Sequence, residues 1–270
     1  MLYVSLRVDA VAPVLGIRLA EPILITRGVC KSFGRLVAVH EVSIALAPGE
    51  LVALIGPNGA GKTTTVSMVV GLIAPDRGEI VIDGRVLAPE DHRAKRQVGL
   101  VPQDLALYDE LSARDNLRFF GSLYALDGAA LNAAVASTLA LVGLSDRARD
   151  RVRTFSGGMK RRLNLAAGLL HDPRIVLLDE PTAGVDPQSR LAIFENLALL
   201  KARGRALLYT THYMEEAERL ADRIIVMDHG RVVAEDTLDG LRIRMSELPG
   251  EAGLTLESMF LTLTGRSLRD

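Results

Sequence analysis

A short run of glycine, lysine and threonine has the residue types and spacing that bind phosphate. Glycines let backbone N–H groups turn inward toward phosphate oxygens, and the following helix adds a favourable dipole. The run directly follows the apolar stretch Leu51–Ile55 and opens a helical pattern, which favours a phosphate loop over a structural glycine turn. We expect Lys62 to reach the β- and γ-phosphates of a nucleotide and the Thr63 hydroxyl to ligate Mg²⁺. The predicted nucleotide-binding residues of this run are Gly56, Pro57, Asn58, Gly59, Ala60, Gly61, Lys62, Thr63 and Thr64.

Two acids at the end of a second apolar stretch are suited to hold the metal and activate water. The residues Ile175–Leu178 predict a buried strand, and Asp179 and Glu180 follow it directly. At the carboxyl end of a parallel strand, Asp179 would point into the ligand crevice and hold Mg²⁺ directly or through water. Glu180, one residue further, suits polarising the attacking water. Acids often end strands, so the pair is informative mainly because a phosphate loop lies upstream.

A serine and two glycines before a long helical pattern form a second candidate anion site. Ser156, Gly157 and Gly158 would place inward-facing amides at a helix N-terminus. Taken alone, they would equally be an N-cap with flexible glycines. The order of the motifs is more informative than any one of them. The order along the chain is phosphate loop, Gln103, Ser156–Gly158, Asp179-Glu180, Asp186 and His212.

This ordered set resembles the ATP-binding cassette family, the nucleotide-binding subunits of ABC transporters, over about residues 23–236. The resemblance implies that Phe33 stacks on adenine, and that Gln103 touches Mg²⁺ and the attacking water and senses the transmembrane partner. It implies that Ser156–Gly158 contact the γ-phosphate held by a second cassette. Asp186 would lie in the loop that crosses the dimer interface, and His212 would bond the γ-phosphate.

The same resemblance implies how the chain works. Two cassettes, which we expect to be two copies of this chain, would associate head to tail around two ATP molecules with Mg²⁺. Glu180 would align the attacking water, and His212 and Lys62 would stabilise charge on the γ-phosphate. Hydrolysis would then separate the cassettes, so the chain is predicted to be an ATPase. The segment Phe155–Met159 corresponds to the signature motif of the family. It departs from the commonest form of that motif only at Phe155 and Met159, outside Ser-Gly-Gly.

Transport would need a separate membrane protein, because no apolar run approaches the ~18 residues that cross a bilayer. The expected partner is an ABC-2 type permease, and the expected location is the cytoplasmic face of the membrane. Residues Asp104–Leu111, directly after Gln103, would line its docking groove. The segments Ser156–Leu163 and Thr211–Glu218 and the tail Leu256–Arg266 resemble drug- and antibiotic-resistance exporters of that type. The spacing of the tail predicts a short amphipathic helix.

Two other functions are compatible with a phosphate loop. A soluble cassette ATPase acting on ribosomes or DNA usually carries two cassettes or a long coiled coil, and neither pattern is found here. The 32 basic and 33 acidic residues give a net charge of −1, so no nucleic-acid partner is expected. In a small-molecule kinase, Ser156–Gly158 would not contact the nucleotide. Cys30 is the only cysteine, which fits a reducing compartment.

Short apolar runs that alternate with helical patterns must position these residues. The strands Leu51–Ile55, Ile175–Leu178 and Ala206–Thr210 lack polar alternation, as in a parallel sheet covered on both faces. Earlier strands, split by polar turns, predict an antiparallel flank. The expected fold is α/β: a P-loop NTPase core with a mainly parallel sheet, an antiparallel β flank and a helical subdomain over about residues 104–170.

The ATPase domain is expected to span residues 23–240. Residues 1–22 are expected to be a poorly ordered leader or the product of a mis-assigned start. Charged side chains at Arg7, Asp9 and Arg18 leave no uninterrupted apolar core for a signal peptide. Residues 241–270 are expected to form a short C-terminal tail.

Overall fold

The computed structural model describes residues 21–246 and 255–264. The predicted leader therefore lies outside the described residues except for Glu21 and Pro22, as does about half of the predicted tail. In chain order the elements are β1 (Leu24–Phe33), β2 (Leu36–Leu46), β3 (Leu51–Ile55), α1 (Lys62–Val69), β4 (Arg77–Ile82), β5 (Arg85–Val86), α2 (His92–Lys95), β6 (Val98–Val101), α3 (Ala113–Leu123), α4 (Gly128–Leu141), α5 (Gly157–Leu169), β7 (Ile175–Asp179), α6 (Pro187–Ala202), β8 (Ala206–Thr211), α7 (Met214–Leu220), β9 (Arg223–Asp228), β10 (Arg231–Asp236), α8 (Leu238–Ser246) and α9 (Leu256–Thr264).

The larger sheet is mainly parallel, as predicted. Its strand order is β10-β9-β3-β8-β7-β6, and only the β9–β10 pair is antiparallel among these neighbours. In the parallel register Thr210 of β8 lies opposite both Leu54 of β3 and Asp179 of β7. The carboxyl ends of β3, β8, β7 and β6 therefore lie along one edge of the sheet, where ligands of open α/β sheets bind.

Both faces of this sheet are covered. Every residue of β3, β7 and β8 is buried. Alternate residues of a strand point to opposite faces, and they belong to different core clusters. Val176 and Leu178 pack with helices α3 to α6, whereas Ile175 and Leu177 pack with α1 and the smaller sheet. The two clusters explain the absence of polar alternation in these strands.

The smaller sheet is the predicted antiparallel flank, with strand order β2-β1-β4-β5. The sequence predicts its first two strands over Ile23–Val29 and Val42–Leu46, and the strands in the structure are longer, at Leu24–Phe33 and Leu36–Leu46. The pairing of β1 with β2 contains register shifts between Thr26 and Ser32, and Gly28 there has a left-handed φ of 55°. These irregularities break the alternation of polar and apolar residues that marks a strand in the sequence.

Helices α3, α4 and α5 pack on one another between β6 and β7 in the chain, which confirms the predicted helical segment. Near the C-terminal end of the described residues, α9 packs against α7 and β10. Leu256, Met259 and Phe260 of α9 are buried in a cluster that also contains Ile55 of β3. None of the helices within residues 21–246 and 255–264 combines the length and hydropathy of a membrane span.

Candidate nucleotide-binding site

Four neighbouring strands bring the predicted site residues to one edge of the larger sheet. β3 leads into the loop Gly56–Thr63, β7 ends at Asp179, and β8 ends just before His212. β6 ends two residues before Gln103. Because these strands are parallel neighbours, their carboxyl ends bring residues that are far apart in the sequence to the same edge.

The phosphate loop is held so closely by its surroundings that two of its glycines have no room for a side chain. A Cβ at Gly56 would lie 2.3 Å from the carbonyl oxygen of Met227, and one at Gly61 would lie 2.5 Å from that of Ala38. Gly61 also has a φ of 100°, which an L side chain rarely adopts, and it is the N-cap of α1. The N-terminus of α1 thus opens directly from the loop, with its first amides free of partners in the helix.

Lys62 is buried inside its own loop. Its Nζ donates to the carbonyl oxygens of Gly56 at 2.7 Å and Pro57 at 3.1 Å. Burial lowers the pKa of the Lys62 ammonium, and the nearby carboxylates of Glu180 and Asp179 oppose that shift. A desolvated ammonium facing carbonyl oxygens is suited to exchange them for the more negative oxygens of a phosphate.

Glu180 is the residue on which the predicted catalytic groups converge. Its Oε1 lies 3.7 Å from Nζ of Lys62 and 3.2 Å from Nδ1 of His212, and its Oε2 accepts a hydrogen bond from Nε2 of Gln103 at 3.3 Å. The His212 contact has the distance of an ion pair but not the angle of a hydrogen bond. The structure therefore brings together four predicted residues from four different strand ends.

Thr210 holds the side chain of Asp179 and the backbone of Glu180, although no sequence pattern marked it. Its hydroxyl donates to Oδ1 of Asp179 at 2.5 Å and accepts the N–H of Glu180 at 3.0 Å. The Glu180 backbone has a left-handed φ of 46°, an uncommon conformation for this residue type. The hydroxyl thus helps to hold the turn that aims the Glu180 side chain at Lys62 and His212.

The predicted metal ligands suit Mg²⁺ bound together with a nucleotide. Thr63 is exposed at the start of α1, and its hydroxyl makes no hydrogen bond to the described residues. Asp179 and Gln103 add a carboxylate and an amide oxygen, so all three ligands are hard oxygen donors. Within the described part of the chain, no group of three or more His, Cys, Asp or Glu residues could hold a metal ion. Mg²⁺ is characteristically bound through one or two carboxylates and completes its shell with phosphates and water, which fits a set with the single carboxylate of Asp179.

The Ser156–Gly158 segment lies at the N-terminus of α5. Ser156 caps that helix by accepting the N–H of Met159, and Ser156 and Gly157 are exposed. Gly158 is buried against the start of α6, where Ser189 lies and where Asp186 is the N-cap. No hydrogen bond or ion pair between described residues joins this segment to the phosphate loop.

Phe33, the predicted adenine platform, ends β1 on the smaller sheet. Phe33 is 51% exposed, and Nζ of Lys31 lies 5.8 Å from the centre of its ring. An exposed aromatic ring with one face available is able to stack on a base. Its role stays a prediction, as do the individual roles of the other site residues.

The comparison with known families decides the identity of this site. A model of the ABC transporter family matches residues 39–183, more than half of the chain. The chain belongs to the ABC transporter family. It is 46% identical over 215 residues to the linearmycin resistance ATP-binding protein of Bacillus subtilis. The matched segment covers 80% of this chain and 69% of that protein. It is 45% identical over 214 residues to the Nod factor export ATP-binding protein I of Bradyrhizobium diazoefficiens, covering 79% of this chain and 70% of that protein.

Solved structures agree with this assignment to the ABC family. The ATP-binding subunit of an ABC transporter superimposes with a TM-score of 0.79 at 32% identity, covering 90% of this chain and 99% of that one. A nucleotide-free ATP-binding cassette, at 24% identity and a TM-score of 0.76, supports the fold. The predictions of an ABC-type α/β fold and of an ATP-hydrolysing transporter subunit are confirmed.

A further residue of this ABC ATPase lies beside the site without having been predicted. Arg161 of α5 donates through Nη1 to the carbonyl oxygen of Gln103 and through Nη2 to that of Ala183 at 3.3 Å. It thereby ties the segment after β6 to the loop that precedes Asp186. One arginine within the basic run Lys160–Arg162 carries no spacing signal, so only the structure identifies it.

Proposed function

We propose that this ABC ATPase powers export through a separate ABC-2 type permease by ATP-driven association of two cassettes. The observation that carries the proposal is the accessible N-terminus of α5 at Ser156 and Gly157, which none of the described residues joins to the phosphate loop. A helix N-terminus of this kind suits an anion. The γ-phosphate held by a second cassette is the anion that the family resemblance supplies.

Each ATP site would then consist of two halves. One chain would contribute the phosphate loop, Glu180 and His212, and the other chain would contribute Ser156–Gly158. A two-fold arrangement of identical chains forms both sites at once, because each surface patch meets its complement on the partner. The loop carrying Asp186 would lie between the two sites.

Hydrolysis would depend on a redistribution of the contacts around Glu180. Phosphate oxygens would replace the carbonyls of Gly56 and Pro57 as acceptors for Lys62. Glu180 would then be free to align water, while Lys62 and His212 stabilise the charge that develops on the γ-phosphate. Bound Mg²⁺, held by Thr63, Asp179 and Gln103, would neutralise further phosphate charge.

Light scattering with the Glu180→Gln variant tests the association of two cassettes. This variant should bind ATP, hydrolyse it at most about one-hundredth as fast as the unchanged protein, and accumulate as a dimer. Adding Gly157→Arg should keep the chain monomeric with ATP, because the new side chain occupies the predicted phosphate position. If Glu180→Gln alone remains monomeric with saturating ATP, the two-cassette proposal is wrong.

Export is supported by the relatives, one described by linearmycin resistance and the other by Nod factor export. A groove at β6, the edge strand of the larger sheet, is suited to a permease. A cavity of about 440 Å³ is open to solvent at the strand β6, which leads to Gln103. Its lining residues are Val70, Leu72, His92, Lys95, Arg96, Val98, Leu100, Leu123, Tyr124 and Ala125. These residues differ from the predicted lining Asp104–Leu111, in which Leu105, Tyr108 and Leu111 are exposed.

The groove combines exposed apolar side chains with positive charge. Leu72 and Leu123 are 69% and 67% exposed, so two large apolar side chains of the same groove lie open to solvent, as in a protein-binding surface. Lys95 and Arg96, which are adjacent in the chain, supply positive charge on one side, and neither forms an ion pair with the described residues. The expected occupant is an amphipathic cytoplasmic helix of the permease with acidic residues toward this side. Its binding would keep the chain at the cytoplasmic face of the membrane.

Co-purification with a co-expressed ABC-2 type permease from the same genome tests the groove. Leu123→Asp should reduce recovery of the complex about tenfold, because a carboxylate would be buried against an apolar partner surface. Leu199→Asp is the matched control, since Leu199 is an exposed leucine on α6. Equal recovery of both variants would reject this docking surface, and co-purification with ribosomes instead would favour a soluble cassette ATPase.

A further inference from the structure

A buried carboxylate behind the site joins the two segments that carry Glu180 and His212. Glu216 belongs to α7 and is only 2% exposed. Its Oε1 accepts a hydrogen bond from the Thr182 hydroxyl at 2.7 Å, and its Oε2 accepts from Tyr209 at 2.8 Å and Thr211 at 2.9 Å. A buried carboxylate with this many donors is a fixed point to which other groups are held.

The donors to Glu216 lie next to the catalytic candidates. Thr182 follows Glu180 by two residues, and Thr211 directly precedes His212. The Thr211 hydroxyl also accepts the N–H of Tyr213 at 2.9 Å. Both chain neighbours of His212 are therefore fixed through the Thr211 hydroxyl, and that hydroxyl is oriented by Glu216.

The network requires an acceptor at its centre. The hydroxyl oxygens of Thr182 and Tyr209 are 3.1 Å apart. Each hydroxyl has only one hydrogen, and both hydrogens are donated to Glu216, so neither hydroxyl can donate to the other. Burial and the adjacent Glu216 carboxylate raise the pKa of the Tyr209 hydroxyl, which keeps it a donor. Nε of Arg190 lies 3.4 Å from Oε1 and adds a positive charge from α6, the helix that Asp186 caps.

We propose that Glu216 is a positioning residue for ATP hydrolysis. It fixes the turn at His212 relative to the segment after Glu180, so that the side chains of Glu180 and His212 face the same reacting group. It does not touch the nucleotide and acts only through Thr182, Tyr209 and Thr211. This inference rests on the roles proposed above for Glu180 and His212.

Steady-state hydrolysis with Glu216→Gln and Glu216→Ala tests the assignment. A displaced catalytic group lowers kcat, and we expect a fall of about 10- to 100-fold in the alanine variant and a smaller fall in the glutamine variant. The KM for ATP and the affinity for a fluorescent ATP analogue should change less than about threefold, because the phosphate loop is untouched. Glu215→Gln is the matched control, since Glu215 is the exposed neighbour on the same helix.

A second pair of variants keeps the test independent of the folding of Glu216→Ala. Thr211→Val removes the hydroxyl that joins Glu216 to Tyr213, and it should lower kcat about tenfold without a matching change in ATP affinity. Thr211→Ser restores the hydroxyl and should recover most of the lost rate. A merely structural network would lower thermal stability and ATP affinity together and leave no such difference between KM and kcat.

Two reference variants in the same assay separate the possible failures. If Glu180→Gln and His212→Ala hydrolyse ATP at the unchanged rate, the proposed site itself is wrong. If those two lose activity while Glu216→Gln, Glu216→Ala and Thr211→Val all keep kcat within about twofold of the unchanged protein, only the positioning role is overturned.

Discussion

The carboxylate of Glu180 and the ammonium of Lys62 lie 3.7 Å apart in the nucleotide site. Glu180 follows β7 and Lys62 begins α1 after β3, and β8 separates these two strands in the sheet. The group proposed to activate water is thus paired with the group proposed to bind phosphate. A γ-phosphate arriving at Lys62 would compete directly for this contact, so binding and activation of the base would be linked.

Replacing Lys62 by alanine is expected to abolish ATP binding, with a fall of about 100-fold or more in affinity. The variant lacks the only charged group of the Gly56–Thr63 loop, and truncation of a buried charge partner commonly costs about 2–5 kcal/mol. Displacement of a fluorescent ATP analogue measures the effect. Lys201→Ala serves as control. Lys201 lies in the last turn of α6 and also pairs with a carboxylate, that of Asp222, but it is not one of the predicted site residues. Undiminished ATP affinity in Lys62→Ala would contradict the assignment of the loop.

Removing the Thr210 hydroxyl should slow hydrolysis while nucleotide still binds. In Thr210→Val, Asp179 loses a hydrogen-bond donor, and the Glu180 N–H retains only the Thr210 carbonyl at 3.2 Å. We expect kcat to fall about 10- to 100-fold and the free energy of unfolding to fall by about 1–3 kcal/mol. Steady-state hydrolysis and chemical denaturation measure the two effects. Thr210→Ser keeps the hydroxyl, so a serine variant as slow as the valine variant would show that the hydroxyl is unimportant.

The central strands and the contiguous motifs were predictable from the sequence for a physical reason. β3 spans the predicted Leu51–Ile55 because both faces are buried and every residue must be apolar. The loop Gly56–Thr63 has a fixed spacing because backbone amides must surround phosphate. The antiparallel strands were harder to delimit, since bulges interrupt their alternation, and the two-residue strand β5 was missed.

The supporting residues of the site were not predictable. Thr210, Arg161 and Glu216 act through contacts between elements that are distant in the sequence. A threonine in an apolar strand, an arginine in a basic run and one of several glutamates on a helix have no distinctive spacing. Their roles follow from the parallel packing of β7 against β8 and from the positions of α5 and α7.

The two signature glycines should respond oppositely to alanine. A Cβ at Gly158 would lie 2.0 Å from Oγ and 2.3 Å from Cβ of Ser189, whereas one at Gly157 meets nothing within 4 Å. Gly158→Ala should therefore lower the melting temperature by about 3–10 °C through overpacking. Gly157→Ala should leave it unchanged or slightly higher, because alanine favours the helix. Thermal scans of both variants give the measurement, and equal melting temperatures would argue against the close packing of α5 on α6.

Acid should weaken the attachment of α3 to the core through His171. The His171 ring stacks on Tyr124 at 3.8 Å between ring centres, and its Nε2 lies 3.1 Å from the Val98 carbonyl oxygen. Burial lowers the pKa of His171, and the charge of Arg96 acts in the same direction, while the Val98 carbonyl and Asp172 oppose it. The folded protein therefore binds this proton less readily than the unfolded chain, whose histidines titrate near pH 6.5.

The stability that neutral His171 contributes is fully present above about pH 6.5 and is lost as the pH falls from there through the lower folded-state pKa. This one group can account for at most about 1.4 kcal/mol of unfolding free energy per pH unit. Denaturation between about pH 7 and 5 measures the slope. His171→Gln stays neutral and should show a shallower slope, whereas His92→Gln, at an exposed histidine, should match the unchanged protein. Equal slopes for all three proteins would exclude His171 as a source of acid sensitivity.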